Sequence, residues 1–158
     1  MKKLCCLLIA FLLLSGCESS KPILVSSANF TAIINIVFKS NTYQYKIIKT
    51  INKTTFKPCG DTTQIEFIVN DNCVTTKYKK HSSDYEKMLD NSFISIIDSA
   101  LNHSHNNEVF ADYNGNYMTY ETINTGEYSL KTNKSGLPLE LKVKSKDLYV
   151  EFSNVKEV

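Results

Sequence analysis

After residue 29 the chain alternates apolar and polar side chains with a period of two over long stretches. Phe30, Ala32, Ile34, Ile36 and Phe38 interleave with Thr31, Ile33, Asn35 and Val37. That is the pattern of a strand, whose successive side chains point to opposite faces. Tyr43, Tyr45 and Ile47, interleaved with Gln44 and Lys46, make a second strand joined to the first near Ser40 and Asn41. Ile33 and Val37 leave the first strand apolar on both sides, so cover on both faces is expected. A shorter strand over residues 54–57 runs into the turn cluster Pro58-Cys59-Gly60-Asp61. Residues 64–70 resume the alternation through Ile65, Phe67 and Val69, and Asp71-Asn72 permits a tight reversal into residues 73–79.

The period then changes. Tyr85, Met88, Leu89, Phe93, Ile96, Ile97, Ala100 and Leu101 fall on one face at 3.6-residue spacing, which predicts an amphipathic helix over residues 83–101. Ser83 followed by Glu86 reads as the capping box at its start. Beyond it, residues 108–121 fold back about Asn114-Gly115, a strong hairpin signal, and residues 128–133, 139–144 and 148–153 form a closing meander. In the meander Leu139, Leu141 and Val143 face one way and Glu140, Lys142 and Lys144 the other, as on a sheet with one buried and one wet face. The expected fold is α+β, mostly β: a curved antiparallel half-barrel of about nine strands packed on one main helix, since neither apolar face can stay in water.

The first sixteen residues do not belong to that domain. Lys2 and Lys3 precede an unbroken apolar run over residues 4–14, and Ser15 and Gly16 stand before Cys17. At 1.5 Å per residue a helix of that run crosses roughly half of a ~30 Å hydrocarbon core, so it reads as a signal peptide and not as a span. Leu14-Ser15-Gly16-Cys17 looks like a bacterial lipobox, with cleavage before Cys17 and acylation of its thiol. A diacylglyceryl group supplies the two chains that stable anchoring needs. The expected organisation is a signal peptide over 1–16, a small and polar tether over 17–28, and one domain over 29–158. The expected place is the extracytoplasmic face of a cell membrane.

Cleavage also changes the charge. The full chain holds 18 lysines, no arginine and 16 acidic residues. Losing Lys2 and Lys3 leaves 16 against 16, so no excess of positive charge argues for nucleic acid. The absence of arginine removes the usual bidentate clamp for phosphate or carboxylate.

The order of elements, together with Ser135-Gly136-Leu137-Pro138-Leu139-Glu140-Leu141 ahead of Leu148-Tyr149-Val150-Glu151-Phe152, resembles the LolA-like and LppX-like lipoproteins. Clostridial germination lipoproteins of the GerS type look similar as well. The first resemblance implies a curved sheet under a helical lid, with a lipid or acylated ligand held between them. The second implies a tethered module that holds a partner enzyme of the cell envelope or spore cortex. The chain departs from the carriers in having one clear helix where they have several.

The candidate ligand cavity, on the carrier reading, is lined by Ile34, Ile36, Ile47, Phe67, Leu89, Phe93, Ile97 and Leu141. Cys59 and Cys73 are the thiols left after acylation, and an even count in an exported protein suggests a bridge. A strand over residues 64–70 would hold them ~20 Å apart, against the ~7 Å a disulfide spans, unless residues 59–63 double back. Bridge and two free thiols both stay open. Tyr43, Tyr45, Tyr117, Tyr120 and Tyr128 could line a binding surface or fill half-buried sheet positions. His103, His105 and Glu108 could make a metal site, but beside Asn102, Asn106 and Asn107 they read as a solvated loop past the helix end, and no metal or other cofactor is expected. No nucleophile elbow, phosphate loop or zinc motif occurs. The expectation is a non-catalytic lipoprotein binding either a hydrophobic ligand or a cell-envelope protein.

Overall fold

The computed structural model describes residues 25–60, 64–70, 73–86, 92–102, 109–111, 117–123 and 126–158. Alternation is realised as eleven antiparallel strands: β1 Phe30–Phe38, β2 Asn41–Thr50, β3 Lys53–Pro58, β4 Ile65–Asn70, β5 Cys73–Tyr78, β6 His81–Glu86, β7 Val109–Ala111, β8 Tyr117–Ile123, β9 Gly126–Thr132, β10 Pro138–Val143 and β11 Leu148–Glu157. They form one mostly meandering sheet in the order β6-β5-β4-β3-β2-β1-β11-β10-β9-β8-β7. The single non-sequential pairing, β1 with β11, joins the two halves of the chain and sets Ile34 opposite Phe152 and Ile36 opposite Val150. The fold is thus mostly β, a curved sheet on one helix, as expected from the sequence.

Register carries one apolar face across the sheet. Leu130, Leu141, Val150, Ile36 and Tyr43 are cross-strand neighbours in turn, as are Ala32, Ile47, Phe56 and Phe67. Their partners in the core come from the helix α1, Phe93–Asn102, through Ile94, Ile96, Ile97, Ala100 and Leu101. Burying each such side chain contributes about 1.5–3 kcal/mol. At its first residue Phe93 stacks on Tyr43 with ring centroids 4.8 Å apart and meets the rings of Phe38 and Tyr45 edge-on or tilted. Helix and sheet are therefore tied by an aromatic cluster at one end and aliphatic packing along the rest.

Three expectations change. The helix begins ten residues later than its periodicity suggested, and residues 81–86 pair with β5 as an edge strand. Ser83 and Glu86 are strand residues, not a capping box; Tyr85 fits a period of two as well as one of 3.6. The cap is Ser92, whose Oγ accepts from the amide of Ser95 at 3.2 Å. Second, the outer face of β1 is less covered than expected: Thr31, Ile33 and Asn35 are half-buried and Val37 is 40 % exposed. Third, the tether does not run free to residue 28. Val25 is 1 % exposed within the core and opens a 3-10 turn, Val25–Ser27, that packs against α1.

The Ser135-Gly136-Leu137-Pro138 motif forms the turn between β9 and β10. The Asn133 Oδ1 accepts from the amides of Ser135 and Leu137 at 2.9 and 3.0 Å. Gly136 sits at φ 74, where a side chain would be strained.

The two candidate caps separate in a stability experiment. Ser92→Ala should cost about 1 kcal/mol in urea unfolding, and Ser83→Ala, exposed on an edge strand, should change the midpoint by no more than ~0.5 kcal/mol.

Candidate functional site

Residues nominated as cavity lining are brought together, but they close on one another. Ile34, Ile36, Ile47, Ile97 and Leu141 are fully buried, Phe67 and Phe93 are half-buried against them, and Leu89 lies outside the described residues. Nor is α1 a lid with a wet outer side. Ile94, Ser95, Ile96, Ile97, Asp98, Ala100 and Leu101 are all buried, and a helix buried nearly all round is a plug inside the core.

Beneath its C-terminal turn lies a polar cluster that periodicity alone did not single out. Lys49 is fully buried beside Thr54, its cross-strand neighbour, and its Nζ donates to the carbonyl of Ala28 at 3.2 Å. Asn102 Nδ2 donates to Asp98 Oδ1 at 2.7 Å and to Thr54 Oγ1 at 3.2 Å. The Oδ1 atoms of Asn29 and Asn102 are buried there without a hydrogen-bond partner. Burial pushes the Lys49 ammonium below its ordinary pKa, and the nearby Asp98 carboxylate partly offsets this. The signal was present in the sequence: a lysine continues the buried series Tyr45, Ile47, and an aspartate interrupts the apolar face between Ile94 and Leu101. The cluster links residue 28, β2 and β3 to the end of the helix.

The same sheet face stays open further out. Beyond Phe67 it continues over β4, β5 and β6, where Ile65, Tyr78 and His81 are cross-strand neighbours, as are Val69, Val74 and Tyr85. Ile65 is 40 %, Tyr78 43 % and Tyr85 57 % exposed. All of His81, Ser82, Ser83, Asp84 and Tyr85 are exposed, and β6 ends the sheet. Of the tyrosines considered from the sequence, Tyr45 and Tyr128 are buried and Tyr43 stacks in the core. The side chains of Tyr117 and Tyr120 lie outside the described residues. The accessible pair, Tyr78 and Tyr85, escapes the sequence pattern because Tyr85 also fits the period of the helix that follows it.

The Cys59–Cys73 bridge is not formed; both thiols are free and half-buried. Pairing of Thr54 with Val69 and of Val69 with Val74 sets Cys73 level with Lys53. Cys59 lies six residues further along, at ~3.3 Å each ~20 Å away, and its amide donates to the Gln44 carbonyl at 3.1 Å. Cys17, His103, His105 and Glu108 lie outside the described residues. Among the described residues no three histidine, cysteine or acidic side chains meet as a metal would require. On the convex face Glu140 receives hydrogen bonds from Lys142 and Tyr149, which outweigh its partial burial and hold its carboxyl below the usual range. This clamps β10 to β11.

An uncharacterized conserved protein from Thermus thermophilus has a similar fold, with a TM-score of 0.52 at 7 % identity over 84 % of this chain and 80 % of that one. PNGF-II aligns with a TM-score of 0.44 at 13 % identity, over 83 % of this chain and 28 % of its own length. No family model matches the sequence, and no curated protein matches it. The likeness to the Thermus protein speaks to the fold alone.

Charge pairing in the buried cluster is open to a double-mutant cycle. Lys49→Met alone should cost about 3–5 kcal/mol, because Asp98 keeps a buried charge without its cation, and adding Asp98→Leu should recover most of the loss. A folded-state pKa below the unfolded one means that the unfolded chain binds more protons between the two values. Stability of the wild type relative to the double variant should therefore rise with pH across that alkaline window, read as the difference in urea midpoints.

Proposed function

We propose that this chain is a membrane-tethered, extracytoplasmic binding module that acts without catalysis and docks a cell-envelope protein along β6 and the open part of the concave face. The observation that carries the reading is the contrast across that one face. Where a lipid would have to sit, the chain's own helix fills the space; three strands further on, Ile65, Tyr78 and Tyr85 remain accessible beside an unpartnered strand edge. Apolar groups flanking such an edge suit strand addition, in which main-chain hydrogen bonds supply affinity and side chains supply specificity. Resemblance to GerS-type lipoproteins, which hold a partner enzyme, points the same way.

Anchoring rests on the lipobox at Cys17. No helix among the described residues is long and apolar enough to cross a membrane, and Val25, eight residues after Cys17, is already packed in the domain. The alternative, capture of a hydrophobic or acylated ligand as in the LolA-like carriers, is favoured by the sheet's curvature and requires α1 to leave the core.

Cys17→Ser should move the protein from the membrane to the soluble fraction, and the wild-type mature chain should carry a diacylglyceryl mass on Cys17. Crosslinking from native membranes should return one stoichiometric envelope protein with the wild type. Tyr85→Lys combined with Ile65→Lys should weaken that complex by about 2 kcal/mol or more while leaving the unfolding midpoint near its original value. Stoichiometric lipid in native mass spectra of the Cys17→Ser protein would instead establish the carrier reading.

A further inference from the structure

The strand connections divide by charge between the two ends of the sheet. Among the described residues, those at the end where the chain enters, 51–52 and 133–137, carry one lysine and no acid. The described connections at the far end, 39–40, 59–60, 79–80 and 144–147, carry five lysines, Lys39, Lys79, Lys80, Lys144 and Lys146, against Asp147. The far-end β1–β2 and β10–β11 turns adjoin, the amide of Lys39 donating to the carbonyl of Asp147 at 3.2 Å. Lys77, exposed beside the β5–β6 turn, stands opposite Glu66 on β4 and adds no net charge to that end. A chain whose mature form carries as many acids as lysines has concentrated its positive charge opposite its tether.

Two of these lysines sit where the backbone disfavours them. Lys39 at φ 47 and Lys79 at φ 53 occupy left-handed turn positions that glycine or asparagine fills with least strain. Each ammonium lies over the ring of the residue before it, Phe38 at 5.1 Å and Tyr78 at 5.2 Å. The device is repeated on two hairpins, and strain retained at exposed tips argues for a use outside the fold.

The geometry points to these lysine-tipped hairpins as a binding surface for an anionic phosphodiester polymer of the cell envelope. Lysines are point charges on flexible stems, without arginine's fixed fork, so two spaced clusters, one on the adjoining β1–β2 and β10–β11 turns and one on the β5–β6 turn, suit a chain of repeated charges better than one rigid anionic pocket. The direction of the surface rests on the anchoring reading: with the tether holding one end, the tips are the part of the body furthest from the lipid. β1 alone spans ~30 Å at ~3.4 Å per residue. The site adjoins the partner surface at Tyr78, whose ring lies under the Lys79 ammonium, and leaves Tyr85, towards the other end of β6, outside it.

The test uses the full lipidated protein in phosphatidylcholine nanodiscs, with poly(glycerol phosphate) as probe, dextran as the neutral control, and phosphatidylglycerol vesicles as the membrane source of the same phosphodiester chemistry. Wild type should bind poly(glycerol phosphate), weaken as salt rises, and ignore dextran. Lys39→Asn with Lys79→Asn should lower affinity about tenfold while holding or raising the melting temperature, because asparagine relieves the turn strain. Lys80→Gln with Lys144→Gln should lower it comparably. Undiminished binding in both variants, equal binding of dextran, or binding confined to phosphatidylglycerol vesicles would overturn the proposal. Failure of the other readings shows separately: the Cys17→Ser protein should still bind the polymer in solution, as should the Tyr85→Lys, Ile65→Lys variant.

Discussion

Burial of one ten-residue helix against the concave side of the sheet is the contact on which the rest depends. A curved antiparallel sheet presents an apolar face that its own strands cannot cover, and here Ile94, Ile96, Ile97, Ala100 and Leu101 enter it together with Phe93. Neither element is self-sufficient. A helix of ten residues is too short to persist alone in water, and a sheet face carrying Phe30, Ile34, Ile36, Ile47 and Leu141 would aggregate if left open. The β1–β11 pairing follows from the same contact, because closing the two halves of the chain side by side gives the helix one continuous floor.

Enclosure of the helix also explains why charge lies inside the molecule. A helix buried nearly all round has no wet side for a polar residue, so Asp98 must be met by the protein, and Lys49, Thr54 and Asn102 surround it. Such a cluster is weak as a source of stability but strict in geometry. Lys49 reaches the Ala28 carbonyl, so the tether enters at a fixed place. The cluster thereby fixes residue 28 relative to β2, β3 and the end of the helix.

Much of this was legible in the sequence because period two survives wherever one sheet face is buried. Phe30 to Phe38, Tyr43 to Ile47, Ile65 to Val69 and Leu139 to Val143 all lie on strands. Legibility failed where burial no longer marks the face. Residues 81–86 form an exposed edge strand whose serines and acids carry no apolar alternation, and a Ser-x-x-Glu spacing then mimicked a helix start. The buried cluster was hidden for the opposite reason: Lys49 and Asp98 read as polar interruptions because one sequence does not say which strand meets which helix turn. The thiols behaved as strand geometry requires, since β4 holds Cys59 and Cys73 at opposite ends.

Strand topology adds a consequence that composition conceals. In a meander, alternate connections fall at opposite ends of the sheet, so turn residues spaced far apart in sequence gather in space while the turns between them go elsewhere. Lys39, Lys79, Lys80, Lys144 and Lys146 are dispersed over more than a hundred residues and cancel against acids in the total. The fold brings them to one end, opposite the end where Phe30 opens β1. A chain whose charges nearly cancel in sum can therefore present an entry end, an apolar flank and a cationic tip as three distinct surfaces. Each surface follows from a different rule: the order of the chain, the width of the sheet relative to its one short helix, and the parity of the turns.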